Sequence, residues 1–345
     1  MRAVAISAGR RLQGSTSASL LLATVAALAV GALLIVIVGV DPVDAYRSVW
    51  EGSVGSLDAL AQTSLRMAPL LIMAVGLIPA LRAGVFTIGS EGQFGIGALT
   101  AGLAVLGVAP HLPAWLAIVT GALAGAGGGL VWAIGPALLR AFLGIDEILT
   151  TFAFNFMATF LLLWLLNGPA RGKDAFLVQT SPTPEDTWLP TLGDTVANIG
   201  LLLLPALVLA MVAFGRTPGG YRVRLYGAQP SLAAAAGARH WRVVVLSMLV
   251  AGAAAGIAGW IQIAGVDRAV FGSVFRGYGY LALALVALGR GQVAPTVLGA
   301  ILFAGLQTGS EAMQLGVGIS ADFVFVMQGL VLYLMAFRGG RGREL

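Results

Sequence analysis

Residues 81–100 read LRAGVFTIGSEGQFGIGALT, and no other stretch constrains the fold as strongly. It sets a carboxylate, Glu91, an amide, Gln93, and five glycines (Gly84, Gly89, Gly92, Gly95 and Gly97) in an otherwise apolar region. A charged side chain at the bilayer centre costs about 2.5–3.5 kcal/mol on insertion scales, so such a residue is a functional candidate by default. Glycines this dense predict a broken or re-entrant helix near 84–97. Irregular backbone is tolerated at membrane depth only where protein or a water-filled cavity covers it. Transporters build solute sites from discontinuous helices of this kind.

The whole chain agrees with a membrane setting. Of its 345 residues 58% are hydrophobic and only 10% charged, against about 25% charged in soluble domains. Cysteine is absent, which removes disulfides, thiolate catalysis and cysteine-based metal sites. The two histidines, His111 and His240, are far apart and read as loop or interfacial residues, so no metal site is expected. The net charge of +5 is not a nucleic-acid signal, because its arginines sit mostly in short loops between apolar runs, as the positive-inside bias requires. The uncharged run from Leu12 to Val40 is too long for a signal-peptide core and reads as a retained first span.

A span needs about 20 apolar residues. Ten candidates follow: residues 18–40, 64–81, 85–108, 113–139, 147–167, 197–215, 243–264, 277–289, 293–310 and 320–337. The fold class is therefore all-α and polytopic, with eight to ten transmembrane helices in one domain over 18–337 and cytoplasmic tails at 1–17 and 338–345. Orientation follows from the loops. Asp41, Asp44, Arg47, Glu51 and Asp58 give a net −3 after the first span. The loop from Gly168 to Val196 sets Arg171 and Lys173 against Asp174, Glu185, Asp186 and Asp194. The loop 215–242 carries Arg216, Arg222, Arg224, Arg239 and Arg242 with no acid. Acidic and basic segments alternate, which places both termini in the cytoplasm and the Gly168 to Val196 loop outside.

Several polar residues are candidates to line a pathway. Thr87, Ser90, Glu91 and Gln93 offer hydroxyl, carboxylate and amide groups beside freed backbone; the competing reading makes Glu91 a structural cap or a gate near the cytoplasmic face. Asn155, in TTFAFNFMATFLLLW, sits near mid-depth and should face the bundle interior. It is interhelical glue or a solute contact. Phe152, Phe154 and Phe156 either offer faces to a planar solute or point to lipid. Gln307 and Gln328 are interior candidates of the C-terminal half. Gly121, Gly125 and Gly129, and again Gly252 and Gly256, read as close helix packing. The glycine-rich Phe86 to Gly97 and the stretch FGSVFRGYGY, Phe271 to Tyr280, occupy similar places in the two halves, compatible with an internal duplication.

The loop 215–242 contains Pro230, suited to a first helical turn, then good helix formers from Ser231 to Ala236 and Gly237 as a stop. A short projecting helix is predicted, able to enter a groove on a soluble partner or to lie on anionic lipid. GPARGKD, Gly168 to Asp174, falls one residue short of a phosphate-binding loop and ends in Asp where Ser or Thr would be needed. With no nucleotide site, energy for transport must come from another chain or from an ion gradient. A proton-driven secondary transporter using Glu91 is one alternative. An enzyme is not expected, since no catalytic constellation is visible.

AGVFTIGSEGQFGIGA resembles the signature GxFNIGxEGQ of ABC-importer permeases of the nucleoside and simple-sugar branch, the branched-chain amino acid and ribose type. GIDEILTTFAFNFMATFLLLWLLNGP resembles that family's NEVIxTIMLNYIA segment, and GYRVRLYGAQPSLAAAAG its cytoplasmic coupling segment. MQGLVLYLMAF is similar to its closing helix. The resemblance spans about residues 60–338 and is strongest to the longer permease of a nucleoside importer. It implies a multi-pass protein of the cell membrane, without cofactor of its own. ATP and Mg would be bound by partner ABC ATPase subunits. A second, distinct permease chain, an extracellular substrate-binding lipoprotein and membrane lipid complete the expected partners. It carries Glu91 and Gln93 onto the EGQ pair, Asn155 onto the Asn of LNYIA, and Arg222, Arg224, Gly227, Ala235 and Gly237 onto the coupling segment. Thr87 stands where the family usually has Asn, and Asp146 where Asn commonly precedes Glu147. A nucleoside-like solute is implied, with simple sugars such as pentoses as the alternative.

Overall fold

The computed structural model describes residues 24–173 and 176–340. The expected tail 1–17, residues 18–23 of the first expected span and residues 341–345 lie outside the described residues. Among the described residues the protein is helical, with no strand and two isolated bridges, Gln179 to Phe271 and Thr191 to Asn198. The helices are α1 (Thr24–Val38), α2 (Pro42–Val54), α3 (Leu57–Arg82), α4 (Ser90–Val108), α5 (Ala114–Leu143), α6 (Glu147–Asn167), α7 (Leu203–Phe214), α8 (Pro218–Ala228), α9 (Pro230–Ala235), α10 (His240–Gln262), α11 (Tyr278–Leu288), α12 (Val293–Val317) and α13 (Phe323–Gly340).

Six of these are long and apolar enough to cross a bilayer: α3, α4, α5, α6, α12, and α10 with its continuation to Asp267. The number rises to eight if each of two bent pairs is one span, α1 with α2 at 120° and α7 with α8 at 70°. Ten spans were expected. Length is what separates the counts: the 11 residues of α11 reach about 16 Å at 1.5 Å per residue, against a hydrocarbon core of about 30 Å.

The described chain forms two compact units. One holds residues 24–67, Gly193–Ala197 and residues 287–340. Here Asp41 caps α2, its carboxylate accepting from the Val43 amide at 2.7 Å, with Pro42 in the first turn. These cues make the acidic segment after the first expected span a helix rather than a plain loop. Its small faces let it lie against α12: a Cβ on Gly52 would collide with Ala312, and one on Gly309 with the Val49 backbone. Ile35, Ala45, Met313 and Ile319 are buried together beside them. Arg66 and Glu311 form an ion pair at 2.5 Å.

The other unit is Ala68–Leu192 with Asn198–Val286. Its centre is the packing of α4, α5 and α10 on one another. Gly125 and Gly129 of α5 meet Gly252 and Gly256 of α10 so closely that a Cβ on Gly129 would strike the Gly252 carbonyl. Gly97 of α4 meets Gly256 as well. Small residues serve close helix approach here, as their spacing predicts; in lipid, dispersion and backbone contacts replace the hydrophobic drive. The segment after α6 folds over the end of α10, which turns into a π-helix at Ile263–Asp267. The Thr183 amide donates to the Arg268 carbonyl at 2.8 Å, the Leu189 amide to Ala264 at 2.9 Å, and the Arg268 guanidinium lies 4.0 Å from the Trp188 ring centre.

Candidate functional site

The predicted break is present but narrower than residues 84–97. α3 ends at Arg82, residues 83–89 are non-helical, and α4 begins at Ser90. Gly84 has φ +75°, a left-handed conformation that redirects the chain out of α3 and suits a residue without Cβ. Gly92, Gly95 and Gly97 are helical instead. Their job is contact: Asn155 and Ala158 press on Gly92, the Phe275 ring on Gly95 and Gly256 on Gly97.

The broken segment is held by one face of α6. Asp146 caps that helix through the Ile148 and Leu149 amides at 2.8 and 3.2 Å. Glu147, Thr151 and Asn155 then follow at four-residue intervals, which stacks them on one side. Glu147 Oε1 accepts from the Phe86 amide at 3.0 Å, while its other oxygen pairs with Arg140 at 3.0 Å. Thr151 Oγ1 accepts from the Ile88 amide at 3.1 Å and donates to the Glu147 carbonyl at 2.5 Å. Asn155 accepts from the Gly92 amide at 2.9 Å, and its amide nitrogen donates to the Ile88 carbonyl at 3.0 Å and the Tyr280 hydroxyl at 3.3 Å. Backbone groups orphaned by the break are thereby satisfied inside protein, as membrane depth demands.

Glu91 does a second job. Its two oxygens accept from the Gly277 amide at 2.7 Å and the Gly279 amide at 2.6 Å. These amides open α11, so the carboxylate sits at a helix N-terminus, where partial positive charge and free N–H groups favour an anion. Gly279 must be small, because a Cβ there would meet the backbone of Ser90 and Glu91. The two glycine-rich stretches noted in the halves of the sequence are thus tied to each other by one side chain. Both oxygens being occupied by backbone donors speaks against Glu91 as a free proton carrier.

The remaining candidates fall as follows. Thr87, Ser90 and Gln93 are buried in the same place. Thr87 Oγ1 accepts from the Gly89 amide at 3.3 Å. Ser90 Oγ and Gln93 Oε1 are buried with no hydrogen-bond partner among the described residues. Such groups are uncommon in native proteins and call for a reason. Phe152 and Phe156 are exposed and pack edge to face on each other at 4.9 Å, and Phe154 packs on Trp132; none of the three faces the polar cluster. Gln307 and Gln328 are buried in the other unit, where Gln328 donates to the Phe303 carbonyl at 3.3 Å. Residue reading overlooked Glu147 and Thr151 as clamps. Their spacing to Asn155 was the available signal.

The basic segment lies directly beneath the break. Thr217 caps α8, with Pro218 in the first turn, and α8 bears Arg222 and Arg224 on its exposed surface. Gly227 abuts the end of α3, so that a Cβ would collide with the Arg82 carbonyl, and it also faces Gly84. α9 begins at Pro230, carries Ala235, and stops before Gly237, whose φ of +78° makes the left-handed turn predicted for it. Ala233 and Ala238 are buried with Ala80, Ala83, Val85 and Ala137 in one apolar cluster. A push on α8 or α9 therefore bears on residues 82–85 without an intermediary.

Residues 59–336 match a family model described as branched-chain amino acid transport system / permease component. The chain is 32% identical to the glucose ABC transporter permease protein TsgB13 of Haloferax volcanii, over 91% of this chain and 85% of that one. It is 27% identical to the nucleoside ABC transporter permease protein NupB of Lactococcus lactis, over 92% and 90% of the two chains. Identity to the guanosine ABC transporter permease protein NupP of Bacillus subtilis is also 27%, over 92% of each. No solved structure matches the chain.

Proposed function

The chain belongs to the permease components of the branched-chain amino acid transport system family, and from that premise we propose that it translocates a nucleoside-like solute. As such a component it is the membrane subunit of an ABC importer, a transport protein rather than an enzyme, multi-pass in the plasma membrane. The observation that carries the proposed pathway is the buried polar cluster at the α3–α4 break, where Ser90 Oγ and Gln93 Oε1 have no hydrogen-bond partner among the described residues and Asn155 meets Tyr280. These groups could exchange hydrogen bonds with ribose hydroxyls or a base edge as the break opens. Thr87 and Glu91 shape the cluster, and Gln307 and Gln328 are proposed as solute contacts within their own unit.

The relatives named for nucleosides and guanosine, matched over nine-tenths of both chains, support the nucleoside reading. A relative named for glucose, at 32% identity, supports a second reading, a simple sugar. Eight to ten spans are proposed, drawn from α1, α3, α4, α5, α6, α7, α10, α12 and α13, with α11 entering the membrane without crossing it by itself. All would lie in one transmembrane domain over 18–337, and both termini would be cytoplasmic. ATP and Mg are held by partner ATPase subunits that press on the 215–242 segment through Arg222, Arg224, Gly227, Ala235 and Gly237. A binding lipoprotein delivers solute at the outer loop after α6, and a second, distinct permease completes the channel.

Uptake of labelled guanosine by cells expressing the importer, in competition with glucose and ribose, decides between the solutes. Guanosine uptake that glucose and ribose leave unchanged supports the first reading; no guanosine uptake, with labelled glucose taken up instead, replaces it with the second. The chain has no cysteine, so single cysteines at Ser231 and at Ser181, both exposed, can be labelled from either side without a background. Labelling of Ser231→Cys from outside intact cells would overturn the orientation.

A further inference from the structure

A cleft of about 630 Å³ lies between α7, α8, the turn after α9, and α10, within a single compact unit. That size is ordinary for a small-molecule pocket. Its walls are apolar, with Leu207, Met211, Leu246 and Val250 among the lining residues, and Leu246 and Val250 are exposed at 58% and 46%. Its rim carries three arginines, Arg222, Arg239 and Arg242, all exposed. None of the three takes part in an ion pair among the described residues. Gly237, with its left-handed φ, turns the chain so that Arg239 returns to that rim.

An apolar slot with cations at one end matches an amphiphile with an anionic head. A soluble anion would have no use for the apolar depth, and a neutral lipid none for three guanidiniums. Basic pockets between spans on the cytoplasmic side are suited to acidic headgroups, and the cytoplasmic leaflet is the anionic one. Guanidinium recognises phosphate through paired donors in a planar fork. We propose that this cleft is a binding site for an anionic phospholipid of the cytoplasmic leaflet, with an acyl chain along α7 and α10 and its phosphate held by Arg222, Arg239 and Arg242. Because Arg222 and Gly237 also belong to the segment proposed to face the ATPase, a bound lipid would brace α8 and α9 from the membrane side. The leaflet rests on the orientation proposed above; lipid retention in detergent is read without it, so either can fail alone.

The test is native mass spectrometry of the purified full-length chain, titrated with phosphatidylglycerol, phosphatidylcholine or inorganic phosphate. Phosphatidylglycerol should be retained at a concentration roughly tenfold below phosphatidylcholine, a preference of about 1.4 kcal/mol. The variant R222Q/R239Q/R242Q should erase that preference, whereas R171Q/R216Q/R290Q, which removes equal charge away from the cleft, should keep it. Ala210→Phe, which fills the slot, should lower retention of both lipids. Unchanged preference in the rim variant overturns the proposal. So does inorganic phosphate displacing phosphatidylglycerol as well as the lipid itself does, which would make this a free-anion site. If Ala210→Phe changes the oligomeric state and leaves lipid retention intact, the cleft belongs to a protein neighbour and the proposal also falls.

Discussion

Replacing Glu91 by Gln keeps the shape of the link between α4 and α11 and removes its charge. Both carboxylate oxygens accept backbone amides, Gly277 at 2.7 Å and Gly279 at 2.6 Å. A glutamine supplies one acceptor oxygen and turns an NH₂ group toward the other amide. One buried donor is then left unmade, at about 1–3 kcal/mol, and the bond that survives loses its charge-assisted part, about 1 kcal/mol. The sum, roughly 2–4 kcal/mol, corresponds to about 30–1000-fold easier local opening. Hydrogen exchange followed by mass spectrometry on detergent-purified protein reads this at the amides of residues 276–280. Exchange there should accelerate by that factor, while the α5–α10 contact around Gly129 and Gly256 stays protected. Exchange within threefold of the parent protein at both sites would refute the claim that the carboxylate ties the two glycine-rich stretches together. It would return Glu91 to the role of a pathway side chain with no structural duty.

Asn155→Ala removes three hydrogen bonds from the break and leaves the Gly92 amide buried without a partner. It should destabilise by about 1–3 kcal/mol, seen as a lower unfolding midpoint, and uptake should fall with it. Thr151→Val exchanges a hydroxyl for a methyl and frees the Ile88 amide; faster exchange confined to residues 86–88 is expected, with no change at residues 276–280. Gly129→Leu drives a side chain into the Gly252 backbone. Overpacking of this kind costs about 1–3 kcal/mol, and the variant should express poorly or elute as aggregate, whereas Gly127→Leu, which meets open space, should behave as the parent does.

Much of this was legible in the residues because the signals are local. The break at Gly84, the start of α9 at Pro230 and its stop at Gly237 follow from turn and cap chemistry that acts within a few residues. The Gly125, Gly129, Gly252 and Gly256 contacts follow from spacing. What was hidden is long-range. The partners of Glu91 lie 186 and 188 residues away, and no local rule names them. Gly92, Gly95 and Gly97 look like helix breakers in isolation, yet tertiary contacts with Asn155, Phe275 and Gly256 use their bare backbone inside a helix. The phenylalanines of α6 were ambiguous for a related reason: a helix apolar all round does not declare its buried face, and only the Glu147, Thr151 and Asn155 spacing marks it. The short α11 was counted as a span from composition, while its 11 helical residues do not reach across a bilayer by themselves.

The claim most exposed to test is that the 215–242 segment, proposed to face the ATPase, acts on the broken helix directly, through Gly227 against the Arg82 carbonyl. Gly227→Ala places a Cβ where that carbonyl lies and should separate the two surfaces, at about 1–3 kcal/mol, or roughly 5–150-fold in the balance between two arrangements. The measurement is solute uptake per ATP hydrolysed by the importer in proteoliposomes. ATP hydrolysis persisting while uptake per ATP drops about fivefold or more is the predicted result. Parent-level uptake per ATP in the folded Gly227→Ala variant would contradict the account.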